Sequence, residues 1–167
     1  MALNLESLIS LLELEVSKIG RVCVSDGSGN DFLLMDTLLL SSSRNSIFEL
    51  LKSNQEDIGL YALSLSDSFL INPDYEMEDD ESLVQRDIKV DNSCLPLKVA
   101  SIVEFFAGPS NKEFLVGFVL YSEDKRDSIS IFTETDEIEI LDNVSFLHRM
   151  NNLPFYYQTL VLHWYGV

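Results

Sequence analysis

The stretch Glu113-Phe-Leu-Val-Gly-Phe-Val-Leu-Tyr-Ser-Glu-Asp-Lys-Arg-Asp-Ser-Ile-Ser-Ile-Phe132 decides the fold. Phe114 to Tyr121 is almost continuously apolar, as expected of a central strand covered on both faces. Glu123 to Asp127 is a charged turn, after which Ile129 and Ile131 alternate with Ser128 and Ser130. Strand, turn and strand together make an antiparallel pair. Toward the C-terminus, Ile138 and Ile140 alternate with Glu137 and Glu139, a third strand with one acidic, solvated face. Val144 to Met150 reads as a helical turn. Leu160, Leu162 and Trp164 alternate with their neighbours in a final strand.

Toward the N-terminus the reading mixes helices and strands. Leu95 to Phe106 reads as an amphipathic helix, with Pro96 tolerated in its first turn and Gly108-Pro109 ending it. Ile88 and Val90 suggest an edge strand. Ile58 to Leu65 and Phe69 to Ile71 are apolar runs that stop at Asn72-Pro73. Ser43 or Asn45 would cap a short helix over Ser46 to Asn54. Val22 and Val24, the turn Asp26-Gly-Ser-Gly-Asn30, and the run Phe32 to Leu40 make a hairpin. At the start, Leu5, Leu8, Ile9, Leu12, Val16 and Ile19 recur at helical spacing, with Asn4 as cap and Gly20 as stop. The expectation is a single α+β domain spanning 1–167. Its sheet is mostly antiparallel, with an N-terminal helix and one or two further helices packed on one face.

The chain has 167 residues with 28 acids against 11 bases, a formal charge of −17, and 46% apolar residues. That apolar fraction belongs to a globular protein and excludes whole-chain disorder. The charge argues against DNA, RNA and anionic membranes as direct ligands, since phosphates are repelled. Cys23 and Cys94 are too few for a disulfide framework and read as reduced, buried thiols. The first twenty residues lack the basic start and unbroken apolar stretch of a secretory leader. No run approaches the ~20 apolar residues needed to cross a bilayer. A cytoplasmic location is expected.

Tests for chemistry return little. Asp26 to Asp31 places oxygen ligands at alternate positions, but an EF-hand loop has Gly at its sixth position and Glu at its twelfth. Here those are Asp31 and Thr37. The same glycines lack the third Gly of a dinucleotide fingerprint. His148 and His163 do not form a close ligand pair, so neither a metal nor another cofactor is expected. No nucleophile elbow anchors a hydrolase site. Glu104 sits beside Phe105 and Phe106 on the second expected helix, either exposed or partly buried. A non-enzymatic role follows as the expectation.

The strongest composition shift is the acidic loop 73–85, with Asp74, Glu76, Glu78, Asp79, Asp80 and Glu81 inside eight positions. Charge so dense favours an extended, solvated segment. Tyr75, Met77 and Leu83 supply contact area among the carboxylates. A second acidic surface is formed by Glu134, Asp136, Glu137 and Glu139, held more rigidly by a strand. Together these eleven positions (Asp74, Tyr75, Glu76, Glu78, Asp79, Asp80, Glu81, Glu134, Asp136, Glu137 and Glu139) read as a docking surface for a basic protein partner. Tyr75, Tyr121, Phe155, Tyr156 and Tyr157 are the aromatic candidates for its centre.

In its acidity, its size and its stretch Glu113 to Phe132, the chain resembles bacterial immunity proteins, particularly those of contact-dependent inhibition systems. The resemblance implies a cytoplasmic protein that neutralises a cognate basic toxin domain, a nuclease being one such domain. These proteins share no single fold and no signature, so no residue role is carried over. Class I secretion chaperones are also small, acidic and α+β. This chain is longer than they are, and the helix expected at Ser46 to Asn54 also departs from them, because a strand follows their first hairpin. An enzyme acting on a cationic or metal-bound substrate is the third reading.

Overall fold

The computed structural model describes residues 3, 5–42, 46–52, 58–63, 76–90, 95–108, 114–133, 137–153 and 159–166. Of residues 52, 58–63 and 159–163 it describes the backbone. The order is α1 (Leu5–Leu11), β1 (Glu15–Ser25), β2 (Asp31–Leu33), β3 (Thr37–Ser42), β4 (Ile47–Lys52), β5 (Ile58–Leu63) and β6 (Ser82–Asp87). Then follow β7 (Leu97–Lys98), β8 (Ser101–Gly108), β9 (Phe114–Tyr121), β10 (Ser128–Phe132), β11 (Glu139–Leu141), α2 (Asn143–Asn151) and β12 (Thr159–Gly166).

The strands form two antiparallel sheets. The second runs β11-β10-β9-β8-β12, and the Phe114 to Phe132 hairpin is its centre, as the apolar run and charged turn imply. The first is organised around β1. Cys23 pairs with Leu33 on β2 and with Val84 on β6, while Gly20 pairs with Leu39 on β3 and with Asp87 on β6. A residue with two ladder partners has one on each side, so β2 and β3 lie along one edge of β1 and β6 along the other. Val16, paired with Ser42 and Leu97, places β7 beside β6 on that second edge. β4 and β5 continue the sheet beyond β3.

One core lies between the sheets. Val16, Ile19, Leu38, Leu40, Phe48 and Leu50 of the first meet Ile102, Phe106, Leu115, Phe118, Leu120 and Ile131 of the second, with Leu8 and Leu11 of α1 joining them. A smaller cluster covers the outer face of the second sheet. There α2 sets Phe146 edge-on against Phe105, centroids 5.1 Å apart, and against Phe132 at 6.3 Å. Gly117 makes room for it: a Cβ there would lie 2.9 Å from the Phe146 ring and 2.7 Å from the Ile131 carbonyl. Asp142 caps α2, its carboxylate accepting from the Ser145 backbone N–H at 2.9 Å.

The α+β class holds in its coarse form, but with less helix than expected, two helices among the described residues. The opening helix ends at Leu11. Glu13 takes φ of +68°, its N–H donates to Val99 O, and Val99 N–H returns to Leu14 O, which starts β1. Val16 and Ile19, three apart as on a helix, both face the core because the ladder to β3 shifts register between Val16 and Lys18. Such a bulge adds one residue to a strand and imitates a helical spacing.

The helix expected at Leu95 to Phe106 is instead β7 and β8, for the same reason. Leu97 and Val99, then Ile102 and Phe106, point inward at strand spacing, broken between Val99 and Ser101, with a second shift at Phe105/Phe106. The helix expected at Ser46 to Asn54 is β4, whose Phe48 and Leu50 are buried inward while Ile47 packs on the opposite face. Phe32 to Leu40 is two strands rather than one. Thr37 closes the break: its hydroxyl donates to Leu34 O at 2.8 Å and accepts from Val22 N–H at 3.1 Å. Residues 82–87 form the strand on β1's second edge, and Ile88 and Val90 follow it. The Phe69 to Ile71 run lies outside the described residues.

Candidate functional site

Register, not sequence proximity, assembles the acidic surface. Ser25 at the end of β1 pairs with Asp31 on one side and Ser82 on the other. The 26–30 turn and the acidic segment ending at Glu81 therefore emerge at one end of the first sheet. Asp26, Asp31 and Glu81 flank that end, and Glu76, Glu78, Asp79 and Asp80 precede β6 by six residues or fewer. Asp26 Oδ1 accepts from the Ser28 N–H at 2.9 Å and hydroxyl at 2.7 Å, and these bonds hold its carboxyl below the ordinary range. Asp31 is held low by its hydrogen bond to the Arg86 guanidinium. Both are ionised throughout the physiological range.

Glu76, Glu78, Asp79 and Asp80 are exposed, as the density of charge requires. The backbone among them is nevertheless turned rather than extended: Glu81 N–H donates to Glu78 O at 3.1 Å and Glu78 N–H to Glu81 Oε2 at 2.8 Å. Asp74 and Tyr75 lie outside the described residues, as do Glu134 and Asp136.

The second acidic stretch is tied to the first through β2. Ile138 N–H donates to Met35 O at 2.9 Å, just beyond the end of β2. Four residues span no more than ~14 Å, so Asp31 and Met35 are at most that far apart. At physiological ionic strength the Debye length is about 8 Å, so coupling between the two groups across such a span strengthens as salt is lowered. Glu137 is exposed there. Glu139 is half-buried on β11 and accepts from Arg149 Nη2 at 3.1 Å, so it belongs partly to the α2 contact.

The apolar component differs from the expected one. Phe32 is 64% exposed and Met77 41%, with Leu33 and Met35 also open. Phe32 stands opposite Val24, which stands opposite Leu83, making one cross-strand row beside the acids. Among the expected aromatics, Tyr121 is half-buried and stacks on Trp164 at 6.1 Å, on the other sheet, with Lys125 Nζ 4.3 Å over the indole. Tyr75, Phe155, Tyr156 and Tyr157 lie outside the described residues. Sequence reasoning passed over Asp26, Asp31, Phe32 and Met35, because that segment reads as a plain turn and an inward strand. The interruption of the apolar run by Met35-Asp36 is the one local signal.

Behind this surface Arg21 joins the two sheets. Only 5% exposed, it donates from Nη1 to Met35 O at 2.9 Å and Thr37 O at 2.6 Å, and from Nη2 to Ile138 O. Burial pushes its pKa down, against the pull of Glu137, Asp36 and Glu139. Elsewhere, Glu104 is buried on β8 rather than on a helix, and its Oε2 accepts from Leu3 N–H at 2.9 Å. Cys23 is a buried free thiol, pushed up in pKa by burial; Cys94 lies outside the described residues. His148 is exposed on α2, within 3.3 Å of Asn152 Nδ2. Among the described residues, no helix is long and apolar enough to cross a membrane, and no group of His, Cys, Asp and Glu has the geometry of a metal site.

Comparison with known proteins finds no family model, no curated protein and no solved structure that matches the chain.

Proposed function

We propose that this protein is a non-enzymatic binding module, of the immunity type, that neutralises a basic toxin domain in the cytoplasm. The observation that carries the reading is the register that brings the 26–31 turn and the acidic segment ending at Glu81 to one end of the first sheet, with Phe32 exposed at that end and Met77 exposed within the acidic segment. Carboxylates set attraction and register, and apolar side chains hold the complex once water is excluded. A nuclease toxin must carry Lys and Arg to grip phosphates, and such a face is complementary to this one. Steering of this kind raises association toward 10⁸–10⁹ M⁻¹s⁻¹ at low salt.

The reading expects a gene for a basic toxin domain beside this chain's own, and the test uses that domain. Co-expression should restore growth to cells producing that domain, and the two should co-purify. Replacing Glu76, Glu78, Asp79 and Asp80 by their amides should slow association about tenfold at low salt and flatten its salt dependence. Association unchanged at every salt concentration removes this end of the sheet from the interface. Absence of any complex overturns the reading.

A second reading, an acidic secretion-type chaperone, gains support from one observation: the segment after the first hairpin is strand β4, not the helix that set the chain apart from that family. A homodimer that binds an effector's secretion segment, and leaves the toxin domain active, would favour it.

A further inference from the structure

The strands with a single ladder partner among the described residues fall into two sets. β2 carries Asp31, β6 carries Arg86 and Asp87, β7 carries Lys98 and β11 carries Glu139. β5 (Ile58–Leu63) and β12 (Thr159–Gly166) contain no Asp, Glu, Lys or Arg. Charge on an edge strand is a common device against pairing with another chain. β5 pairs with β4 and β12 with β8, so among the described residues the other side of each presents unpaired backbone groups.

The two uncharged edges lie on one side of the molecule. Leu3 N–H donates to Glu104 Oε2 on β8, and the ladder partner of Glu104 on β12 is His163. From there α1 packs against β5, so the helix lies between the two edges. Its Leu5 and Ile9, one turn apart, are 57% and 59% exposed, and Trp164 on β12 is 47% exposed. β6 and β11 lie on the other side, where Arg21, the ladder partner of Arg86, donates to Ile138 O just ahead of β11. Four inter-strand steps, about 19 Å, separate β12 from β11.

We propose that this side is the contact between two copies of the chain, β12 pairing antiparallel with itself across a two-fold axis and Trp164 and the Leu5–Ile9 face of α1 packing beside it. A two-fold axis through a strand edge makes that edge its own antiparallel complement, so no foreign sequence has to match it. The charge distribution selects the same occupant. Two bodies of charge −17 repel, and they approach at least cost where the edges carry none. A strongly charged foreign protein finds no opposite charge on these edges. The pairing leaves the sides bearing β6 and β11 outermost in both copies. It does not rest on the proposed function and is tested on the protein alone.

The test is sedimentation velocity on the full chain across a dilution series, with indole emission read in parallel, since Trp164 is the only tryptophan. The chain should be a dimer that dissociates on dilution, and the emission should move to the red as it does. Raising salt from ~0.1 M to ~1 M shortens the Debye length from about 10 Å to about 3 Å and should tighten the dimer about tenfold. The same change weakens attraction to a basic partner, so the two contacts differ in sign. Trp164→Glu should weaken the dimer at least about tenfold by setting like charges across the axis. Ile9→Lys, a solvent-facing change on a different element, should weaken it severalfold, and Phe32→Glu at the acidic end should leave it unaltered. A monomer at every concentration and salt, a dimer loosened by salt, emission fixed through dissociation, a dimer unaltered in both Trp164→Glu and Ile9→Lys, or one lost in Phe32→Glu would each overturn the proposal.

Discussion

The outer face of the second sheet and the acidic end of the first are finished in opposite ways. On the second sheet, α2 lies over the strands, and Phe146 fills the space above Gly117 between Phe105 and Phe132. At the acidic end of the first sheet, Phe32 and Met77 stand open to water among carboxylates. The same residue type is structural where a helix covers it and available where none does. Charge alone therefore does not mark the candidate site. The mark is apolar side chains left uncovered beside carboxylates, whereas the exposed Trp164 of the second sheet lies under Lys125 and stacks on Tyr121.

The contrast is broken most severely by removing the cover. Phe146→Ala should cost about 3–5 kcal/mol in denaturant unfolding, the range for a buried phenylalanine. It should leave association with the basic partner unchanged in rate. A cost below ~1 kcal/mol would mean that α2 rests on the sheet without holding it. Gly117→Ala tests the same contact from the other side. Its Cβ meets a backbone carbonyl and a ring at under 3 Å, so a loss of about 1–3 kcal/mol is expected.

Phe32→Ala should do the reverse. Stability should stay within about 0.5 kcal/mol of the parent, as for surface changes. Dissociation from the partner should quicken about tenfold, as for loss of an aromatic anchor. A large stability loss would move Phe32 from the docking surface to the core.

The smallest effect concerns pH. Asp142 has its pKa lowered in the folded state by its bonds to the Ser145 hydroxyl and N–H. A carboxyl with a depressed folded value stabilises above its unfolded pKa near ~3.9, and that contribution is lost as pH falls through the folded value. Asp142→Ala should therefore melt below the parent at pH 7, with the gap narrowing in acid. A gap that persists unchanged to pH 2 would place the contribution of Asp142 outside its charge.

In the second sheet β8 was read as part of a helix, but its neighbours were legible in the chain. An eight-residue apolar run, a charged turn and alternating isoleucines leave β9, β10 and β11 little room for another reading, and Val144 to Met150 carries the helical spacing that α2 shows. The first sheet was less so, because bulges break the two-residue period that identifies a strand. Val16 to Ile19 is the clearest case, a spacing of three in which a shifted register, not a helical turn, brings both side chains inward. The acids from Glu76 to Glu81 stood out by composition alone. Their neighbours Asp26 and Asp31 did not, since only the pairing of β1 with β6 brings the two segments together. Arg21 was equally hidden: its burial depends on carbonyls at Met35, Thr37 and Ile138, none near it in sequence.

The double edge of β1 has a consequence for synthesis. β2 and β3 follow it within a few residues, but its other side is occupied only by strands that begin at Ser82 and Leu97. During translation that side presents unpaired backbone next to a highly charged nascent segment until the later strands leave the ribosome. Dense carboxylate near an open strand discourages another copy from docking there by repulsion. The residues proposed to attract a foreign basic protein in the mature molecule would thus also keep sister chains apart before maturity.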